Sequence, residues 1–65
     1  MIDLYSVKIV NHSQVLYYRV DFFEEALDLA SMIINKLGNH VSGVITKLIY
    51  NKKGELVNEV VKIDF

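Results

Sequence analysis

Hydrophobic and polar residues alternate along the first part of the chain, and this pattern predicts a β-hairpin. Residues 2–10 and 15–20 are rich in β-branched and aromatic side chains, and the polar stretch 11–14 separates them. A turn across this stretch pairs apolar residues on one face of the hairpin: Ile9 with Leu16, Val7 with Tyr18, and Tyr5 with Val20. The opposite face then carries more polar side chains: Ser6, Lys8, Tyr17 and Arg19. A register slip by one residue would mix the two sets, so the sequence specifies this pairing well.

After residue 20 the spacing of apolar residues changes to the period of an α-helix. Asp21 and Glu24 have the spacing of a capping box, so we expect Asp21 to be the N-cap of a helix over residues 22–37. Gly38 follows as the residue that ends the helix in a left-handed conformation. The apolar residues of the helix share an arc of about 160° that is predicted to pack on the sheet. Met32 lies outside this arc.

Residues 44–50 and 56–65 predict a second hairpin. Residues 51–54 fit a type I turn in which Gly54 has a positive φ. This turn predicts a ladder with three pairs on one face: Ile49 with Val57, Lys47 with Glu59, and Ile45 with Val61. Because a charged pair in the middle of a sheet prefers water, we expect this face to lie away from the helix. The helix is then expected to cover the other face: Val44, Thr46, Leu48, Tyr50, Leu56 and Val60.

Both faces of the second hairpin are apolar, whereas one helix can cover only one face of a sheet. The face left open is therefore predicted to bind a partner, since branched aliphatic side chains surround its ion pair. The residues of this predicted surface are Ile45, Lys47, Ile49, Val57, Glu59, Val61 and Ile63, with Met32 added from the helix. In the alternative arrangement, a bulge or twist tucks some of these side chains under the ends of the helix.

Together these elements predict one α+β domain over residues 1–65, with the order β-β-α-β-β. We expect a four-stranded antiparallel sheet with one helix packed on one face. A domain of this size buries only about 60% of the surface of its unfolded chain, yet 52% of the residues are hydrophobic. The chain has no cysteine, so neither a disulfide nor a thiolate-bound metal can stabilise it. Association with a second copy of the chain is the remaining way to stabilise the fold, so we expect a homodimer.

The sequence gives little support to catalysis or cofactor binding. His12 and His40 lie in predicted loops, and a metal site would need both of them together with carboxylates. Ser13 and Ser42 have no nucleophile motif around them. The segment 38–43 lacks the glycine spacing and the lysine of a phosphate-binding loop. We therefore predict no enzymatic activity, no cofactor and no metal site.

Two classes of function remain open. The first is a homodimeric protein-interaction module, typical of phage or mobile-element accessory proteins that bind a host protein and modulate or inhibit it. The second is a small single-stranded nucleic-acid binder that uses Lys8, Tyr17 and Arg19 on the exposed face of the first hairpin. Seven basic residues against eight acidic ones favour the first class, because nucleic-acid binders carry a basic face. The chain shows no secretory signal and no membrane-spanning run, so we expect a cytoplasmic protein without membrane partners.

Overall fold

A computed structural model describes residues 4–38 and 40–65, and it confirms the predicted α+β fold. The described residues form β1 (Leu4–Val10), β2 (Val15–Val20), α1 (Phe23–Leu37), β3 (Ser42–Tyr50) and β4 (Leu56–Asp64). The strands pair antiparallel in one sheet, in the order β2-β1-β3-β4. The predicted start of the first strand, before Leu4, lies outside the described residues. Within the described part of the chain, α1 lacks the length and apolar character that crossing a bilayer requires.

The first hairpin has the predicted register. β1 and β2 pair Tyr5 with Val20, Val7 with Tyr18, and Ile9 with Leu16. Asn11 holds the turn, because its side-chain Oδ1 accepts hydrogen bonds from the backbone N–H groups of Ser13 (3.0 Å) and Gln14 (2.9 Å). The backbone N–H of Asn11 also donates to the carbonyl of Gln14 at 3.0 Å. A single polar side chain thus fixes the turn, and the turn fixes which side chains face the core.

The helix starts without the predicted cap. Phe22 occupies the N-cap position in extended conformation, and no side chain of the described residues caps it, so the predicted capping box of Asp21 and Glu24 is wrong. Acidic residues in the first turn still favour this helix end through its dipole. At the other end, the N–H of Gly38 donates to the carbonyl of Ile34 at 3.0 Å. Gly38 has the expected positive φ of 85°, but its ψ of −151° places it in a region that essentially only glycine adopts, outside the left-handed helical region.

The core lies between α1 and the side of the sheet formed by the apolar face of β1. The helix packs mainly against β1 and β2. The buried side chains of this core are Tyr5, Val7, Ile9, Ala26, Ala30, Ile33 and Ile45. Tyr5 also stacks at a tilt on Phe23, with ring centroids 5.5 Å apart. Each large aliphatic side chain buried here contributes about 1.5–3 kcal/mol relative to an exposed one, so this layer carries most of the stability.

In the second hairpin the predicted turn is present, but the predicted ladder is wrong beyond it. Gly54 has a φ of 84°, and the backbone N–H of Asn51 donates to the carbonyl of Glu55 at 2.9 Å. Tyr50 pairs with Leu56 as predicted. Two register shifts follow, and the remaining pairs become Ile49–Asn58, Leu48–Glu59, Lys47–Val60, Thr46–Val61, Ile45–Ile63 and Val44–Asp64. At each shift, β4 contains one extra residue. This extra residue reverses the side of the sheet on which the following residues of β4 lie.

The predicted assignment of the faces of β3 is also wrong. Ile45 pairs with Val7 of β1, so it lies on the helix side of the sheet, where it is 0% exposed. Lys47 lies on this same side, while Glu59 pairs with Leu48 on the other. The expected opposition of Lys47 and Glu59 is thus wrong as well. A charge on the helix side of β3 can reach water because α1 packs mainly on β1 and β2.

Candidate interaction surface

The side of the sheet opposite α1, which we call the open face, is built by all four strands. The register and the alternation of side chains assign its members. They are Leu4, Ser6, Lys8 and Val10 of β1; Val15, Tyr17 and Arg19 of β2; Ser42, Val44, Thr46, Leu48 and Tyr50 of β3; and Leu56, Glu59, Val61 and Asp64 of β4.

Charges on the open face are separated by sign. One row across the strands consists of Tyr17, Lys8, Val44 and Asp64, and the next consists of Arg19, Ser6, Thr46 and Val61. The cations Lys8 and Arg19 thus lie on the half formed by β1 and β2. The carboxylates of Glu59 and Asp64 lie on β4, at the opposite edge of the sheet. Among the residues that the ladders pair, the open face is therefore basic on one half and acidic on the other; Lys62 is the extra residue at the second bulge of β4.

On the basic half, Lys8 and Tyr17 are cross-strand neighbours in contact. The Lys8 ammonium lies 5.7 Å from the centroid of the Tyr17 ring, within the range of a cation–π interaction. Tyr17 is nevertheless 68% exposed. A large aromatic side chain is thus positioned by a neighbour and left uncovered, which is typical of residues that anchor an interface.

A groove of about 400 Å³ crosses the open face. Its lining comes from both outer strands and from the sheet between them: Ser6, Tyr17, Tyr18, Arg19, Leu48, Leu56 and Glu59. Leu48 forms an apolar floor and is only 5% exposed, although α1 lies on the other side of the sheet. Near it on β4, Leu56 is 48% and Val61 is 61% exposed. Apolar side chains around a buried floor gain free energy when a partner covers them.

The structure separates the residues that the sequence predicted for partner binding. Glu59 and Val61 lie on the open face, and Val57 is exposed at the first bulge of β4. Four others lie on the helix side: Ile45, Lys47, Ile49 and Ile63. Of these, Ile45 is fully buried and Ile63 packs against the core, so the expectation that both lie on an uncovered face is wrong.

Met32 lies on a different surface. It is 51% exposed and lines an apolar groove of about 390 Å³ between α1 and β2, together with Leu16, Tyr18 and Leu37. The open face lies on the opposite side of the sheet, so Met32 and Val61 do not belong to one surface.

Lys8, Tyr17 and Arg19, predicted as a nucleic-acid surface, do lie together on one face. The sequence reasoning missed Leu48 and Leu56 as their companions, because it took the expected pair of Lys47 and Glu59 to mark the uncovered face and so placed Leu48 and Leu56 under the helix. It assigned Asp64 to neither face. No signal in the sequence of β4 marks the bulges. The position of β3 beside β1 is also needed to join the two hairpins into one face.

Among residues 4–38 and 40–65, no group of three or more histidine, cysteine or acidic side chains is arranged to hold a metal ion. Comparison of the chain with protein-family models, with curated proteins and with solved structures finds no match.

Proposed function

We propose that this chain is a small non-enzymatic interaction module that forms a homodimer through its open face. The observation that carries the proposal is the division of this face into a basic half and an acidic half around exposed apolar side chains. A surface of this kind is complementary to a second copy of itself, as an isologous dimer requires. Complementary potentials also disfavour the wrong orientation of two such faces.

The register defines how two copies would dock. A two-fold axis that runs parallel to the strands, midway between two open faces, places β2 of one copy over β4 of the other and β1 over β3. Tyr17 then lies opposite Asp64 of the second copy, and Lys8 lies next to Tyr17 in the same row. Arg19 meets Val61 and its neighbour Glu59. Two sheets pack about 10 Å apart in such an arrangement, which leaves room for one interdigitated layer of side chains.

Two further features favour docking by the face of the sheet over docking by the β4 edge. β4 is an edge strand, but its two bulges interrupt the regular row of backbone groups that an added strand would need. Covering Leu56, Val61 and Tyr17 also removes apolar surface from water, at about 25 cal/mol for each Å². A small domain without cysteine depends more than most on such additional burial.

Lysine substitution on the open face tests the location of the interface. We expect Val61→Lys to reduce the mass measured by light scattering to that of a 7.5 kDa monomer, because it buries a cation opposite Arg19 of the second copy. Met32→Lys is the matched control, since Met32 is similarly exposed but lies on the other side of the sheet. Unchanged assembly in Val61→Lys, with native-like melting, would contradict the proposal.

Charge reversal tests the orientation of the two copies. Arg19→Glu and Glu59→Lys should each weaken self-association, because each places like charges opposite one another. An equimolar mixture of the two variants should associate again as a heterodimer, since every pair across the interface is then of opposite sign. Sedimentation equilibrium of each variant and of the mixture measures this. A mixture that stays monomeric while the wild-type chain is dimeric would refute this orientation.

The same surface could engage a second protein in place of a copy of itself. We propose a cytoplasmic role in which the dimer, or the open face of the monomer, binds a host protein and modulates it, as phage and mobile-element accessory proteins do. Single-stranded nucleic acid is the second candidate partner. The contact between Lys8 and Tyr17, with Arg19 on the same face, favours it, while Glu59 in the same groove opposes it.

A further inference from the structure

The topology brings the two histidines of the chain together at one end of the sheet. Val10 of β1 pairs with Ser42 of β3 where their ladder ends. His12 follows Val10 by two residues and His40 precedes Ser42 by two, so both histidines lie at the same end of the sheet. Their ring centroids lie 6.1 Å apart, with the ring planes inclined by 56°.

One neighbour of each histidine is held by the fold, while both rings are exposed. The turn that contains His12 is held by the side chain of Asn11 through two backbone N–H groups. Next to His40, Val41 packs against the core. Both imidazoles are exposed, and exposed side chains change rotamer within nanoseconds. The separation of the rings can therefore adjust without any change in the fold.

We propose that His12 and His40 together bind a divalent transition-metal ion of the kind that prefers imidazole, such as Zn²⁺ or Cu²⁺. Two imidazoles on one tetrahedral zinc ion have ring centroids about 5 Å apart, given Zn–N distances of about 2.0–2.1 Å. Rotation of the exposed rings covers the remaining difference. An opening of about 480 Å³, lined by both histidines and by Val10, Asn11, Val41 and Ser42, leaves room for water on the other coordination positions.

Calorimetric titration of the whole chain with Zn²⁺ alone, in a non-chelating buffer at pH 7.5, tests the site. We expect one Zn²⁺ per chain, and at least a tenfold loss of affinity in each of His12→Ala and His40→Ala. Ser13→Ala, in the same turn, is the matched control and should bind as the wild-type chain does. Without metal, the variants should melt with the wild-type chain, because both imidazoles are exposed. If an alanine variant melts at a lower temperature than the wild-type chain, the glutamine variant at the same position, His12→Gln or His40→Gln, replaces it.

Nuclear magnetic resonance adds a readout that does not depend on the variants. The imidazole proton signals of His12 and His40 should move together, and to completion at the same Zn²⁺ concentration. Equal affinity in the wild-type chain and in both alanine variants would overturn the proposal. Movement of one imidazole signal alone would also overturn it, because a shared ion must contact both rings.

Discussion

Replacing Gly43 by alanine should destabilise the protein, although alanine is ordinarily the better residue within a strand. Among the described glycines, Gly43 is not one of those with a positive φ, so its backbone suits alanine. On that ground alone the substitution would stabilise the fold by about 0.4–1 kcal/mol. The atoms around Gly43, however, leave too little room for the methyl group of alanine. A Cβ atom at this position would lie 2.6 Å from Cε2 and Cζ of the Phe65 ring and 2.7 Å from the carbonyl oxygen of Lys8.

The two contacts differ in how easily they can relax. The Phe65 ring can turn away, at the cost of its packing against the core. The Lys8 carbonyl belongs to the central strand β1, so it moves only if the ladder between β1 and β3 shifts. Overpacking costs about 1–3 kcal/mol, and the rigid Lys8 carbonyl places this case in the upper part of that range, at about 2–3 kcal/mol. A gain of about 1 kcal/mol from alanine then leaves a net loss of about 1–2 kcal/mol. For a domain of this size, the melting temperature should fall by about 4–16 °C.

A double-mutant cycle with Phe65→Ala separates the two contacts. Thermal and urea unfolding of Gly43→Ala, Phe65→Ala and the double variant provide the four free energies of unfolding. We expect part of the cost of Gly43→Ala to persist without the ring, because the Lys8 carbonyl is still in place. A Gly43→Ala chain that melts at or above the wild-type temperature would refute the reasoning, since the strand would then accommodate the methyl group freely.

Three further outcomes are expected. Ile45→Ala should lower the free energy of unfolding, measured in urea, by about 2–5 kcal/mol, because it leaves a cavity under α1. Val61→Ala should lower it by less than about 0.5 kcal/mol in the monomer. Equal losses in the two variants would contradict the assignment of faces. Asn51→Ala should lower the unfolding free energy by about 1–2 kcal/mol, because its Oδ1 accepts two backbone hydrogen bonds, and an unchanged melting temperature would contradict this. Retention on heparin should be weak, with a salt slope of at most about 1.4 for the two cations Lys8 and Arg19; a steeper slope would favour the nucleic-acid function.

The first hairpin was predictable because its information is local. Asn11 closes a short turn, and the alternation on either side leaves one register that keeps Val7 and Ile9 on the buried face. The same local logic correctly predicted the turn at Gly54 and the pair of Tyr50 with Leu56 next to it. Lys8, Tyr17 and Arg19 were placed on a common face for this reason.

The second hairpin was not predictable beyond its turn, because a bulge leaves the composition of a strand unchanged while it reverses the sides of all residues that follow. The first shift moves Asn58 opposite Ile49, and the second brings Ile63 opposite Ile45 and into contact with the core. After the second bulge Ile63 lies on the helix side with its partner Ile45, where it packs against the core. The position of β3 beside β1 rests on contacts distant in sequence, which alternation within one strand does not encode.

The position of the helix links the stability of β4 to association. α1 packs mainly on β1 and β2, so β4 is held chiefly by its ladder with β3 and by few buried side chains. Its amide hydrogens should therefore exchange with solvent faster than those of the central strand β1, whose apolar residues are buried. Exchange measured over a range of protein concentrations then distinguishes two modes of docking. Docking by the open face covers β2 and β4 of each copy alike, so protection should rise with concentration in both strands. Docking of two copies through the same edge would protect only the strand at that edge, β4 or β2, and that result would move the interface from the open face to the edge of the sheet.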